Sequence, residues 1–262
     1  MASRAEQKQQ ARARRVAAEQ AEKASARRRA SIMRLGLVLG LAVIVVVVAI
    51  VLSSGGGNDN TAPTGPTRGD GAAATALFRG IPQKGIDLGG GGASTPTLIE
   101  FADLQCPFCK EYSNGVMPTV IKDFVRPGKI NYELRMRSFL GPDSVRAAGA
   151  AAEATRENRL YPFADLFYHR QQQENTGYVT DDFLRSVASA VGVNPSKALS
   201  AAKDAGSEKL VSGAEQQAAA LGSRGTPDFF LRVKGGRLVP VQPQALTTDS
   251  FTKALDQALA QA

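Results

Sequence analysis

Leu35 to Leu52 is an unbroken run of eighteen Leu, Val, Ile, Ala and Gly residues, without a charge or a hydrogen-bonding side chain. No other feature of the chain restricts its folding so strongly. As a helix the run is roughly 27 Å long, close to the hydrocarbon thickness of a bilayer. Its Val43–Val48 stretch is β-branched and favours a strand in water, but in lipid only a helix satisfies its own backbone hydrogen bonds. A core strand of that length also falls outside the usual range. The run therefore predicts one transmembrane helix over residues 35–52.

The charge distribution orients it. The chain carries 32 Lys and Arg against 24 Asp and Glu, a net of +8 that on its face suggests a nucleic-acid binder. Residues 1–34 hold ten of the basic residues and three acids, a net of +7, which leaves +1 for the other 228 residues. A basic segment ahead of an apolar span sets topology: residues 1–34 form a cytoplasmic arm, and everything after Leu52 lies outside. The arm has no aromatic residues to stack on bases, so no nucleic-acid role is expected. A cleavable secretory signal is the rival reading, but its apolar region is usually shorter and ends in a small-x-small site. No cysteine directly follows the run, which excludes a lipid-attached N-terminus.

Residues 53–74 are rich in Gly, Asn, Thr, Pro and Ala and read as a flexible linker. Residues 75–262 have a globular pattern. Ala76–Ile81 suggests a short first strand, Gly89–Gly92 a turn, and Thr97–Ala102 a compact apolar strand interrupted by Glu100. Pro107–Val125 follows at helical spacing and stops at Pro127-Gly128. Ile130–Met136 alternates as a strand does. A helical block runs from about 143 to 222, with N-cap signals at Thr180 and Asn194. Asp228–Val233, Lys234-Gly235-Gly236 and Arg237–Pro240 form a hairpin pattern. A last helix places Phe251, Leu255 and Leu259 on one face. The order describes a mixed α/β domain with a helical insertion.

The chain has two cysteines, Cys106 and Cys109, spaced C-x-x-C where a strand hands over to a helix. That position puts Cys106 at or beside the helix N-cap, with Pro107 suited to the first turn. Unpaired amides and the helix dipole there favour a thiolate on Cys106. Cys109, one turn in, can close a small disulfide ring. As a purely structural staple such a ring constrains little of the unfolded chain. A zinc site is poorly supplied by two cysteines and one histidine, so no metal is expected. His169, the single histidine, reads as a surface or packing residue. Thr226-Pro227 stands just before a strand, where proline is tolerated in a trans turn; a cis bond would instead set its backbone beside the cysteines, ready to pair with an extended substrate.

Two segments carry a family resemblance. Leu98–Cys109, reading L-I-E-F-A-D-L-Q-C-P-F-C, resembles the active-site entry of the DsbA-like (DsbA/BdbD-type) thiol-disulfide oxidoreductases, and Gly225–Phe230, reading G-T-P-D-F-F, resembles that family's cis-proline strand. The resemblance spans about residues 75–262 and implies an α/β thioredoxin-like fold with an inserted helical domain, here preceded by the transmembrane helix. It implies Cys106 as the attacking cysteine, Cys109 as the resolving one, and Pro107 and Phe108 as residues that tune the redox potential. Pro227 would be the cis-proline and, with Thr226, contact the substrate. Glu100 matches the family's buried acid, and a carboxylate near Cys109 could accept its proton during resolution. Two departures stand out. Phe108 replaces the histidine of the best-known member, and no clear basic partner for Glu100 is visible, although Glu133 and Arg135 fall near the expected place.

These features predict a bacterial cell-membrane enzyme that forms disulfides in cysteine-containing exported proteins. It would be a monomer with no cofactor beyond its Cys106–Cys109 disulfide, reoxidised by a membrane partner of the DsbB or vitamin-K-epoxide-reductase (VKOR) type. The alternatives are a thioredoxin-like reductant, against which the absence of any tryptophan argues; an isomerase, for which no spare dimerisation segment exists; and a non-catalytic binding or chaperone module on the same fold.

Overall fold

A computed structural model describes residues 68–92, 94–204 and 208–261 of the chain. The predicted span at 35–52 and the basic arm lie outside these residues. Among the described residues no helix is long and apolar enough to cross a membrane.

The described chain opens with helix α1 (Arg68–Phe78) and a minimal hairpin, β1 (Gln83–Lys84) and β2 (Asp87–Leu88). Strand β3 (Thr97–Asp103) leads into helix α2 (Pro107–Gly115), short helix α3 (Met117–Val120) and a π-turn over Ile121–Val125. Strand β4 (Asn131–Arg137) precedes five helices: α4 (Pro142–Arg156), α5 (Leu160–Arg170), α6 (Asp181–Ala190), α7 (Pro195–Ala201) and α8 (Glu208–Ala220). Strands β5 (Asp228–Arg232) and β6 (Leu238–Pro240) and helix α9 (Thr248–Leu259) complete it. The sheet order is β1-β2-β4-β3-β5-β6, parallel between β3 and β4 and antiparallel elsewhere. This is the thioredoxin-like α/β arrangement, with helices α4 to α8 between its two halves.

Strand β3 is buried along its whole length, as a central strand covered on both faces must be. Its alternate residues divide the core. Leu98 and Ala102, with Tyr132, Leu134, Phe229 and Leu231, face the larger cluster; Ile99 and Phe101, with Phe230, pack against Ala218 of α8. Helices α2 and α9 close the first face through Tyr112, Phe229 and Phe251, whose ring centroids lie 4.6 to 4.9 Å apart. Such aromatic pairs each add about 0.5–1.5 kcal/mol beyond their buried area. Close helix packing recurs in the insertion, where a Cβ on Gly149 of α4 would stand 2.6 Å from the Ala201 carbonyl oxygen.

Three expectations change. Ala76–Ile81 is not a strand, because Ala72, Ala73 and Ala74 favour helix and Phe78 packs on Tyr161 at 5.6 Å as the end of α1. The predicted linker 53–74 therefore ends earlier, since α1 begins at Arg68. Pro107–Val125 is not one helix. Pro118 has no N–H and crowds the preceding turn, so the chain breaks at Val116 and restarts as α3. The caps at Thr180 and Asn194 are formed, accepting from the amides of Phe183 and Lys197.

Candidate active site

The loop from β3 to α2 is fixed from two directions. Asp103, at the end of β3, accepts the amides of Gln105 (2.9 Å), Phe139 (3.1 Å) and Leu140 (3.3 Å) and the Ser144 hydroxyl (2.6 Å). The helical insertion supplies the rest. Gln171 Nε2 donates to the carbonyls of Leu104 (2.8 Å) and Cys106 (3.1 Å), and Tyr168 donates to the carbonyl of Asp103 (3.2 Å). Gln105 Nε2 donates to the Tyr178 hydroxyl at 2.8 Å. A loop with its backbone groups paired this fully presents the first cysteine rigidly.

Cys106 is the N-cap of α2 and Pro107 its first residue. Both cysteines are free thiols, but they occupy unlike surroundings. Cys106 keeps 4% exposure. Its pKa is lowered from 9.0 to about 6, first by the Cys109 thiol that donates to it, then by the Thr226 side chain and the amides of Cys109 and Phe108, against desolvation. Cys109 is fully enclosed, and burial pushes its pKa well up, helped by the neighbouring Cys106 and Glu100. One turn of helix thus separates a thiol that ionises near neutrality from one that holds its proton.

Thr226 and Pro227 complete the front of the site. The bond between them is cis, and the Thr226 carbonyl oxygen lies 3.1 Å from Cys106 Sγ. Arg137 holds this loop: it donates to the Gly225 carbonyl at 3.1 Å and forms two bonds to Glu215 of α8, at 2.8 and 3.0 Å. Phe108 projects outward at 59% exposure, and Phe139 at 44%. His169 is a surface residue on α5, its Nδ1 2.9 Å from the Asp165 carbonyl oxygen. Among the described residues no cluster of three His, Cys, Asp or Glu side chains could hold a metal ion.

Beneath the thiols lies Glu100, fully buried on β3. Burial raises its pKa to about 8; the hydrogen bond from Tyr132 opposes this and the Cys106 charge adds to it. The Tyr132 hydroxyl donates to Glu100 Oε2 at 2.5 Å and lies 3.0 Å from the Tyr112 hydroxyl. Among the described residues Oε1 has no hydrogen-bond partner. Glu133 and Arg135 do not serve this acid. The β3–β4 register sets Glu100 opposite Leu134, so both point to the other face, where Glu133 pairs with Arg135 and with Arg232 at 2.8 Å.

Sequence reasoning thus brought Cys106, Cys109, Pro107, Phe108, Thr226, Pro227 and Glu100 to one place and missed the tyrosines, Gln171 and Arg137. Two signals mark the tyrosines. Tyr132 shares strand parity with Leu134, opposite Glu100, and Tyr112 stands three residues after Cys109 on the same helical face. Nothing in the sequence marks Gln171 or Arg137, whose roles depend on long-range packing.

A cysteine pair at a helix N-terminus, faced by a cis-proline loop and backed by a buried acid, on a thioredoxin fold with a helical insertion, defines a DsbA-like thiol-disulfide oxidoreductase. The sequence model of a family described as Thioredoxin matches residues 87–257, and the chain belongs to that family. A Bacillus cereus protein named "Probable disulfide bond formation protein D" is 27% identical over 168 residues, covering 62% of this chain and 73% of that one. The Bacillus subtilis protein named "Disulfide bond formation protein D" is 26% identical over 121 residues, 45% of this chain and 52% of its relative. The crystal structure of oxidised BdbD from Bacillus subtilis superposes with a TM-score of 0.58 at 20% identity, over 69% of this chain and 97% of that one; at this identity the likeness is one of fold.

Proposed function

We propose that the chain is a disulfide-forming oxidase of exported proteins, working through Cys106 and Cys109. The asymmetry of the two thiols carries this reading. A depressed Cys106 pKa makes that sulfur a good leaving group and stabilises the reduced enzyme, which is the property that makes a dithiol pair oxidising. The relatives named for disulfide bond formation support the same direction.

In the forward reaction a substrate thiolate attacks Cys106 Sγ of the oxidised pair. The Cys106–Cys109 bond breaks, and Cys109 leaves with the electron pair and takes up a proton. A second substrate thiolate then attacks the substrate sulfur of the mixed disulfide, which releases an oxidised substrate and the Cys106 thiolate. The Thr226–Pro227 loop, whose Thr226 carbonyl oxygen lies 3.1 Å from Cys106 Sγ, would align an extended substrate chain beside that sulfur. Reoxidation runs through a mixed disulfide with a partner of the DsbB or VKOR type, and Cys109 resolves it, its proton passing to Glu100. Residues 35–52 would anchor the enzyme in the bacterial cell membrane, with arm 1–34 in the cytoplasm and the thioredoxin-like domain in the compartment where disulfides persist.

The test is to mix the oxidised full-length chain with a reduced, unfolded cysteine-bearing protein and follow loss of free thiols. Oxidation should be stoichiometric and be abolished in Cys106→Ser; Cys109→Ala, first loaded at Cys106 as its nitrothiobenzoate mixed disulfide, should exchange that group for the thiol of a single-cysteine substrate and hold the substrate as a mixed disulfide. Unchanged activity in Cys106→Ser would point to a binding or chaperone module instead.

A further inference from the structure

Glu100 is an underfilled acid. Full burial opposes its charge, and a carboxylate in such a place ionises only as far as nearby donors allow. Five titratable side chains face it or act on it from the elements packed around it: Cys106 and Cys109 from the start of α2, Tyr112 from its middle, Tyr132 from β4, and Tyr161 from α5. A sixth, Tyr168, also on α5, feels its charge too and spends its proton on the Asp103 carbonyl. Tyr161 spends its proton on the backbone carbonyls of Ile86 and Tyr132, at 2.8 and 3.0 Å. Among the described residues the donor left to Glu100 is Tyr132.

A phenol has one proton. When Glu100 is ionised, Tyr132 gives its one proton to Oε2, and the 3.0 Å contact is then donated by Tyr112 and accepted by Tyr132. The result is a one-way chain, Tyr112 to Tyr132 to Glu100, fully buried throughout. Bonds in such a chain polarise one another. Tyr112 lies one helical turn beyond Cys109, and the Glu100 charge acts on the Cys109 thiol. Oxygen Oε1, which has no partner, remains free to exchange a proton.

We infer that Tyr132 and Tyr112 are positioning residues for the exchange reaction: their hydroxyls, linked at 3.0 and 2.5 Å onto Glu100 Oε2, set how readily Glu100 takes and returns the proton of Cys109. The inference rests on the oxidase reading given above. In the step concerned, Cys109 Sγ–H gives its proton to the Glu100 carboxylate. The Cys109 thiolate attacks Cys106 Sγ, the Cys106–Cys109 bond forms, and the bond from Cys106 to the bound thiol breaks. That thiol departs as a thiolate with the electron pair. When a substrate opens the disulfide the same proton returns to the departing Cys109.

The experiment loads Cys106 of the full-length chain with nitrothiobenzoate as a mixed disulfide and follows release of the coloured thiolate by stopped flow across pH. The wild-type rate should rise with pH through an inflection that Glu100→Gln removes. In Tyr132→Phe the ionised carboxylate loses the phenol that donates to it, and the inflection should move up by about one pH unit, with roughly tenfold slower release below it. Tyr112→Phe should move it the same way by less, and it serves as the second variant if Tyr132→Phe folds poorly. Tyr161→Phe, equally buried but bonded to backbone, should leave the inflection in place. An unshifted inflection in both Tyr132→Phe and Tyr112→Phe, with the loss in Glu100→Gln intact, overturns the inference alone. An inflection that survives Glu100→Gln overturns Glu100 as the proton acceptor as well.

Discussion

Two carboxylates stand three residues apart on β3, both fully buried and both pushed upward in pKa by burial. Asp103, at the end of the strand, accepts four hydrogen bonds from two loops and from α4. Glu100, at mid-strand, accepts one and keeps an oxygen without a partner. The first is spent on architecture: it fixes the loop that presents Cys106. The second retains capacity for a proton beneath Cys109. Burial alone does not distinguish a structural acid from a working one; the number of donors does.

Removing the Asp103 carboxylate should have the largest effect. Asp103→Ala leaves the amides of Phe139, Leu140 and Gln105 without their acceptor and should cost about 3–5 kcal/mol, read from urea unfolding. Asp103→Asn, which keeps acceptor oxygen, should cost less. If Asp103→Ala proves no more damaging than Glu100→Gln, the two acids are not different in kind.

Glu100→Gln should behave oppositely. An acid whose pKa is raised on folding binds its proton more tightly in the native state. Its contribution favours folding below about 4.5 and is lost as pH rises toward about 8. At about 1.4 kcal/mol per pH unit the loss is a few kcal/mol. Glu100→Gln should therefore unfold at higher urea than wild type above pH 8, and the difference should vanish below pH 4.5. A difference that does not depend on pH would show that Glu100 carries an ordinary charge.

A smaller effect separates the thiols. Alkylation of Cys106 by iodoacetamide should titrate with a midpoint near 6. Cys109→Ala removes the largest cause of that depression and should move the midpoint up by about one unit; Glu100→Gln, whose acid is protonated at that pH, should move it far less. The smallest effect belongs to the loop. Gln171→Ala should cost about 1–2 kcal/mol of stability by releasing the Leu104 and Cys106 carbonyls.

The elements that set this contrast were unequally legible. Cys106-Pro107-Phe108-Cys109 and Thr226-Pro227 are local signals, and the order of strands around them yields the thioredoxin-like fold. Glu100 was visible as a charge inside an apolar strand. Its partner was not, because the choice between Glu133, Arg135 and the flanking Tyr132 depends on β-register, and a shift of one residue reverses the face. The break at Val116 followed from Pro118, but the apolar spacing on either side of it continues as if unbroken. The end of α1 is ambiguous for a related reason: Ala76–Ile81 taken alone is short and apolar enough for a strand, and the preceding alanines together with packing of Phe78 on Tyr161 decide for helix. Gln171 reaches the active-site loop across 65 residues of sequence to Cys106, and no local pattern encodes that contact.

The central claim is that an ionised Cys106 beside a buried Cys109 makes this pair an oxidant. The most direct test is its reduction potential, measured by equilibration of the full-length chain with glutathione buffers. The account predicts a value between about −120 and −180 mV, the oxidising end of the thioredoxin-fold range. A value near −270 mV, where thioredoxin lies, would contradict it and make the protein a reductant.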